Sequence, residues 1–474
     1  MLSTDPQFYF CAVAIFIAFY AVRRAELQVL VLALGSFAMY ATEGLSFLLL
    51  LVVSCALTAS SSLLAATLDG GKARIAMIAG IAVNLAVLAT FKYKNLLVPS
   101  DALTDGPWLR EFLMLGLPIG ISFYTFHGIS LIVDSWRSPD MLRHRGSFAQ
   151  HCVDTALYLS FFPQLVAGPI TKGKMFFPQI VAKRLADIPW ADAATNIIVG
   201  TFLKRVVADN LNQLTLPLTD PRTYPGTPQG ELIAEVVGYS AQIFADFAGY
   251  SLIAIGVAKL FGYRLPDNFN QPYLAQSITD FWRRWHMSLS AWLRDYLYIP
   301  LGGNRRGRVR TYVNLLIVMG LGGLWHGASW KFAVWGLWHG GLLAIERALG
   351  VGEVSRGWGA MLLAPIRIML TFCLVTFGWL LFRLNHLGDV VLLAQQFILP
   401  WRGVNETASG NAVVETIYTL AAIVALFHLP REPLRSVVWV DAFIGRTRPY
   451  VLGSLCAVIL MAAGSSHAFI YFQF

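Results

Sequence analysis

The chain has 474 residues, of which 56% are hydrophobic and only 13% are charged, and its formal net charge is +9. Soluble domains carry about 25% charged residues, so the composition excludes a soluble protein and indicates a polytopic helical membrane protein. The apolar stretches are continuous rather than alternating, which excludes a transmembrane barrel. No nucleic-acid-binding motif accompanies the positive charge, which cytoplasmic lysines and arginines explain.

Five apolar segments open the chain, at residues 8–22, 29–41, 45–66, 75–90 and 112–133. Asp5 precedes the first segment, and Arg23 and Arg24 follow it. This is the reverse of the charge pattern of a cleaved secretory signal. We therefore expect the first segment to remain in the membrane with its basic end in the cytoplasm.

The middle of the chain departs from simple spans. Residues 158–170 (YLSFFPQLVAGPI) are too few to cross a bilayer, and their prolines and glycine favour a re-entrant hairpin. Residues 196–211 predict an amphipathic helix that is packed or interfacial. Residues 234–261 predict a span with Asp246 inside it. Residues 277–298 are too rich in arginine and tryptophan for lipid exposure, so we expect them at the interface or among other helices.

The rest of the chain returns to apolar helices, at residues 312–325, 330–348, 362–384, 414–427 and 451–470. At about 20 residues per span, the chain predicts an all-α membrane protein with ten or eleven transmembrane helices plus re-entrant and interfacial helices. No linker or shift in composition divides it. We therefore expect a single domain, with variable helices in residues 1–110 and a motif-bearing core in residues 111–474.

Histidine stands out in this apolar background. His326 lies in the sequence GGLWHGA at the end of an apolar helix. Ionisable groups at membrane depth are costly and by default indicate a functional site. A neutral imidazole there could take a proton from an alcohol, and the flanking glycines would let a ligand or another backbone approach closely. The alternative is a core histidine bonded to a carbonyl oxygen.

Three further histidines are weaker candidates. His286, in WRRWHMS, would orient or bind a substrate, or else lie in an interfacial helix whose tryptophans and arginines anchor at lipid headgroups. His127 and His339 can each be explained by an interhelical hydrogen bond. None of these histidines is paired at i, i+3 or i, i+4, and HExxH and GxSxG motifs are absent, so neither a metal site nor a serine triad is indicated.

Charged and polar residues near these histidines complete the set of candidates. Asp246 would pair with an arginine or a histidine of the site, or would form a structural salt bridge. Arg283 and Arg284 could recognise the phosphates of a nucleotide-type donor or an acidic carrier, although positive-inside topology explains most of the basic surface. We place Trp325 and Asn304 with them as expected substrate-binding residues.

Ten segments, taken in order, resemble the membrane-bound O-acyltransferase superfamily, and most closely its bacterial branch that acetylates alginate and cellulose. They cover the chain from residue 117 to its end and are LPIGISFYTFHGISLIVD, FFPQLVAGPI, GTFLKRVVADNL, DFAGYSLIAIG, LPDNFNQPY, FWRRWHMSLSAWLRDYLYIPLGGNRRG, GGLWHGASW, WGLWHG, FGWLLFR and FIYFQF.

The resemblance implies a funnel whose thin floor separates a cytoplasmic acyl donor from an outside acceptor. It implies that His326, in the GLWHGA motif, is the essential histidine and that His286, in the RRWH motif, lines the same site. One departure from the alginate pattern DFSGYSD matters, because Leu252 stands where that pattern has a second carboxylate.

The expected function is transfer of an acetyl group to a hydroxyl for O-acetylation of cellulose or alginate on the periplasmic side of the inner membrane. The donor would be acetyl-CoA or an acyl-carrier thioester, and no bound cofactor is expected. The acceptor would be the polysaccharide or a periplasmic acetyltransferase partner. Two alternatives stay open: D-alanyl transfer toward teichoic acid, and a proton-coupled transporter, against which the chain shows no inverted repeat.

Overall fold

The computed structural model describes residues 6–97, 116–143, 147–166, 168–351, 358–399, 408–429 and 438–465. All regular secondary structure in these ranges is helical. Five of the helices are long and apolar enough to cross a membrane, and two shorter apolar helices precede them. The prediction of an all-α polytopic membrane protein is therefore confirmed, whereas the number of spans stays a prediction.

The longer helices follow the predicted order, with two additions that the sequence did not predict, Phe148–Ser160 and Leu387–Gln396. Their bounds are Pro6–Ala21, Ala25–Ala41, Leu45–Thr67, Gly70–Lys92, Ile121–Arg137, Phe148–Ser160, Trp190–Phe202, Gln229–Leu260, Arg308–His326, Trp330–Leu349, Trp358–Arg383, Leu387–Gln396, Ala408–Phe427 and Val438–Ala462. Short helices and turns connect them, at Lys94–Leu97, Asp140–Arg143, Phe162–Leu165, Gly173–Phe176, Phe177–Gln179, Leu185–Asp187, Asp209–Leu214, Leu216–Thr219, Tyr224–Gly226, Pro272–Leu274, Ile278–Arg284 and Met287–Leu293. Two π-helical turns lie at Leu203–Ala208 and Arg294–Tyr298. Residues 112–115 and the terminal FIYFQF, at 469–474, lie outside the described ranges.

The chain forms two compact units, one of residues 1–197 and 251–267 and the other of residues 198–250 and 268–474. In the first unit the helix is interrupted within residues 158–170, whereas the re-entrant hairpin stays a prediction. The Phe148–Ser160 helix ends at Ser160, and the four-residue helix Phe162–Leu165 follows after Phe161. His127 is fully buried in this unit, where its Nε2 accepts a hydrogen bond from the backbone N–H of Thr171 at 3.2 Å.

The second unit contains a helical pair, Arg308–His326 and Trp330–Leu349, whose backbones touch. A Cβ atom added at Gly323 would lie 2.1 Å from the carbonyl oxygen of Phe332, and one added at Gly336 would lie 2.1 Å from the carbonyl oxygen of Met319. Close approach through small residues is a common way for helices to associate in membranes. Gly323, three residues before His326, therefore admits the backbone of the neighbouring helix.

Candidate active site

His286 lies at a break between two seven-residue helices, Ile278–Arg284 and Met287–Leu293. Its backbone is left-handed, with a φ of 42°, which is uncommon for any residue other than glycine. Asn268 stabilises this break by accepting two hydrogen bonds from the residues that follow His286. Its backbone carbonyl accepts from the N–H of Met287 at 3.0 Å, and its side-chain oxygen accepts from Ser288 Oγ at 2.6 Å. Tertiary hydrogen bonds thus stabilise a local conformation that costs about 1–2 kcal/mol.

The imidazole of His286 is 1% exposed, and neither of its nitrogens has a hydrogen-bond partner among the described residues. Phe247 packs edge-on against it, with ring centroids 4.6 Å apart. Burial lowers the pKa of His286 to about 3, because the charged form loses its hydration. The ring is therefore neutral at physiological pH.

His326 is the last residue of the Arg308–His326 helix and is 5% exposed. Gly327 follows in extended conformation. The imidazole is surrounded by rings: Trp335 lies 5.1 Å away with perpendicular planes, and Phe382 lies 5.5 Å away. The helix end thus places one imidazole among packed aromatic rings.

One indole joins the two candidate histidines. The Trp325 ring lies 5.1 Å from that of His326 and 6.1 Å from that of His286. Trp325 is itself buried. His286, Trp325 and His326 come from two separate parts of the chain, so the fold brings together the two histidines that the sequence singled out, around a third predicted residue.

A second indole extends the cluster to His339. The Trp335 ring lies 5.0 Å from the ring of His339, and Trp282 packs edge-on against the same imidazole at 5.3 Å. His339 is fully buried, and neither of its nitrogens has a hydrogen-bond partner among the described residues. Its described contacts are those of a packed ring.

A remote carboxylate anchors the helix that leads to His286. Glu346, near the end of the Trp330–Leu349 helix, accepts hydrogen bonds from the backbone N–H groups of Ile278 and Thr279 and from the Thr279 hydroxyl. These are the free N–H groups of the first turn of the Ile278–Arg284 helix, where a negative charge is also favoured by the helix dipole. The carboxylate thereby ties the helix that precedes His286 to the helix that carries Trp335 and His339.

Comparison with known proteins identifies the framework around these rings. A family model for membrane-bound O-acyltransferases matches residues 232–351, which include all three histidines of the cluster. A probable alginate O-acetylase of Pseudomonas aeruginosa is 39% identical over 395 residues, covering 82% of this chain and 73% of the relative. The chain belongs to the membrane-bound O-acyltransferase family. It is accordingly an acyltransferase.

Two further relatives show how far the similarity extends. A probable alginate O-acetylase of Pseudomonas putida is 34% identical over 503 aligned positions that cover all of both chains. A peptidoglycan O-acetyltransferase of Helicobacter pylori is 34% identical over 384 residues, covering 76% of this chain and 72% of the relative.

In this O-acyltransferase, Asp246 takes part in a buried ion pair. Lys204 Nζ lies 2.8 Å from a carboxylate oxygen of Asp246 and 2.8 Å from one of Asp209, and each of these side chains is at most 5% exposed. Arg205 contacts the other oxygen of Asp209 at 3.0 Å. The structural salt bridge is thus present, with a lysine as the partner of Asp246. Its chain neighbour, Phe247, packs against the His286 ring.

The remaining predicted residues are more peripheral. Arg283 is exposed, and Asn304 is exposed in the turn between the Arg294–Tyr298 and Arg308–His326 elements. Arg284 is half-buried and bonds to Asp280 at 2.8 Å, four residues earlier on the same short helix. The described contacts of these side chains do not include the histidine cluster.

Sequence reasoning missed Trp335 and Glu346. Trp335 lies four residues before His339 on the same helix, so the two side chains share one helix face, and the helical period would have predicted their contact. Glu346 is separated from its partners by more than 60 residues, and the sequence contains no local signal for that contact.

Proposed function

We propose that this acyltransferase moves an acetyl group from a thioester donor to a hydroxyl, for O-acetylation of an exopolysaccharide such as alginate or cellulose. Relatives named as alginate O-acetylases and a peptidoglycan O-acetyltransferase support acetyl as the group and a polysaccharide as the acceptor class. The observation that carries the proposal is the burial of His286 and His326 against one indole, Trp325.

In the proposed reaction, neutral His326 accepts the proton of the acceptor hydroxyl as its oxygen attacks the thioester carbonyl carbon. A C–O bond forms, and the carbonyl oxygen becomes an oxyanion. Collapse of this intermediate breaks the C–S bond, and the imidazolium of His326 gives its proton to the leaving thiolate. His286 would orient the reactants, and the aromatic walls would exclude water, which competes with the acceptor for the acetyl group.

The two substrates would reach the site from opposite sides of the inner membrane. The turn at residues 302–308 is basic and largely exposed, which favours a cytoplasmic location. Acetyl-CoA or an acyl-carrier thioester would arrive there, and exposed Arg283 and Asn304 would contact it. The acceptor, a polysaccharide or a periplasmic acetyltransferase partner, would arrive from the periplasm.

Trp325 would form a wall of the substrate site. The other two predicted substrate-binding residues receive positioning roles. Arg284 would hold its short helix through Asp280, and Asp246 would hold the Phe247 ring against His286 through its salt bridge with Lys204.

A deletion strain tests the proposal. Mass spectrometry of its exopolysaccharide is expected to show loss of acetyl groups, with recovery on expression of wild type or His339→Leu but not of His326→Ala at equal membrane abundance. Unchanged polymer acetylation in the deletion strain would contradict the proposal. Loss of D-alanyl esters instead would favour the teichoic-acid alternative, and proton flux in vesicles without acyl transfer would favour a transporter.

A further inference from the structure

Arg383, a second buried cation in the same unit as Lys204, has no counter-charge among the residues that the structure describes. Arg383 ends the Trp358–Arg383 helix and is 5% exposed. Its Nε and one terminal nitrogen, Nη2, make no hydrogen bond among the described residues, and no carboxylate of those residues lies within salt-bridge distance of it. A buried charge left in this condition costs several kcal/mol.

The two nitrogens without acceptors form one edge of the guanidinium group, and this edge binds oxyanions. Arg222, on the surface of the same chain, shows the geometry. Its Nε and Nη2 donate to the two carboxylate oxygens of Asp220, at 2.8 and 2.7 Å. A planar pair of parallel hydrogen bonds is the preferred mode of arginine with carboxylates and phosphates. Arg383 presents the same edge from a buried position.

The surroundings of Arg383 add polar groups and a second positive charge. The Tyr239 ring lies 5.0 Å from its central carbon, and the fully buried Tyr239 hydroxyl has no hydrogen-bond partner among the described residues. Lys331 Nζ donates to the carbonyl oxygen of Leu384, the next residue, at 3.3 Å. Two cations therefore flank this helix end, with a tyrosine hydroxyl nearby.

This cationic group adjoins the histidine cluster. Phe382, the residue before Arg383, packs against the His326 ring at 5.5 Å, and Lys331 lies 5.1 Å above the ring of Phe332, which also contacts Phe382. A ligand bound at Arg383 would be held one residue away from a wall of the proposed catalytic site.

We propose that Arg383, with Lys331 and the Tyr239 hydroxyl, forms a site for an oxyanion of a substrate, a carboxylate or a phosphate. The inference rests on the proposed acetyl transfer and specifies one recognition element of its substrates. Two sources supply this chemistry: the carboxylate of a uronic-acid acceptor and a phosphate of the thioester donor. Either would supply a negative charge that no described residue places within salt-bridge distance of the guanidinium.

The test is ligand binding to the purified full-length protein in detergent, measured by the concentration dependence of its melting temperature. The probes are a mannuronate trisaccharide with neutral mannotriose as its control, and acetyl-CoA with the phosphate-free thioester S-acetyl-N-acetylcysteamine as its control. One anionic probe is expected to raise the melting temperature beyond its neutral control, and which one does so identifies the source.

Arg383→Gln is expected to weaken that binding at least tenfold, and Arg383→Lys, which keeps the charge without the planar edge, to weaken it by a comparable factor. Arg222→Gln is the matched control and is expected to bind like wild type. Ligand-free Arg383→Met is expected to melt no lower than wild type, since it removes an uncompensated charge. Absence of an anion-dependent shift in wild type, undiminished binding by Arg383→Gln, or a lower melting temperature of Arg383→Met would overturn the site.

Turnover separates this inference from the proposed function. If wild type transfers acetyl groups and the Arg383 variants bind and turn over normally, the oxyanion site is wrong and the proposed function stands. If wild type binds the anionic probe through Arg383 but transfers no acetyl group, the site stands and the function is wrong.

Discussion

The packing of His326 against Trp335 depends on contact between two helix backbones, and Gly336→Ala tests it. The new Cβ would lie 2.1 Å from the carbonyl oxygen of Met319, whereas real Cβ contacts keep at least 3.0 Å, so the helices must separate by about 0.9 Å. Overpacking of this kind costs about 1–3 kcal/mol. A displacement near 1 Å at a catalytic group costs about 100-fold in rate. We therefore expect Gly336→Ala to lose about 1–3 kcal/mol of stability and about 100-fold in the rate of acetyl transfer.

Gly341→Ala is the matched control on the same helix, because its Cβ would have no atom within 4 Å. Removing that glycine favours the helix by up to about 1 kcal/mol. Acetyl transfer by membranes and thermal unfolding in detergent would be measured for both variants. Wild-type transfer and stability in Gly336→Ala, or an equal loss in Gly341→Ala, would refute the argument that backbone contact positions the rings.

Other parts of the unit respond in distinct ways. Glu346→Ala removes the acceptor for the first-turn N–H groups of the Ile278–Arg284 helix. Because Glu346 is half-buried, water replaces part of the loss, and we expect about 1.5–3 kcal/mol of destabilisation with a larger fall in kcat than rise in KM. Asp220→Ala, at the surface, should leave stability, kcat and KM unchanged. Lys204→Met leaves Asp209 and Asp246 as buried carboxylates without their shared cation and should cost about 3–5 kcal/mol in thermal or denaturant unfolding; a variant as stable as wild type would show that the pair is not needed. Burial lowers the folded pKa of His286 to about 3, below an unfolded value of about 6.5, so its contribution to stability is full above pH 6.5 and is lost as pH falls toward 3, by up to about 1.4 kcal/mol per pH unit. His286→Leu should therefore flatten the fall in stability between pH 6.5 and 4.5, and identical slopes for variant and wild type would contradict this.

Apolar runs were sufficient to predict most of the helices, because in a bilayer every backbone polar group must be satisfied within its own segment. The predicted pair at residues 312–325 and 330–348 is observed at Arg308–His326 and Trp330–Leu349. The break at His286 left no such signal. Its positive φ is stabilised by Asn268, a distant residue, and the residue type itself does not require it.

The candidate site was predictable in its parts and not in its connections. Histidine is uncommon and costly in an apolar chain, and His286 and His326 were chosen for that reason. Their common contact with Trp325 depends on the fold. The same holds for Lys204 as the partner of Asp246, which lies 42 positions later in the sequence. Arg383 resembles an ordinary basic residue that ends a span, and only its burial against Tyr239 distinguishes it.

The central claim is that His326 takes the proton of the accepting hydroxyl, and the first turnover of purified protein tests it most directly. Acetyl transfer from a radiolabelled donor would be followed in wild type and in His326→Ala, with thermal unfolding measured on the same samples. Removal of a general base predicts a rate at least about 100-fold lower in a protein that is still folded at the assay temperature. Transfer by a folded His326→Ala protein within tenfold of the wild-type rate would contradict the claim.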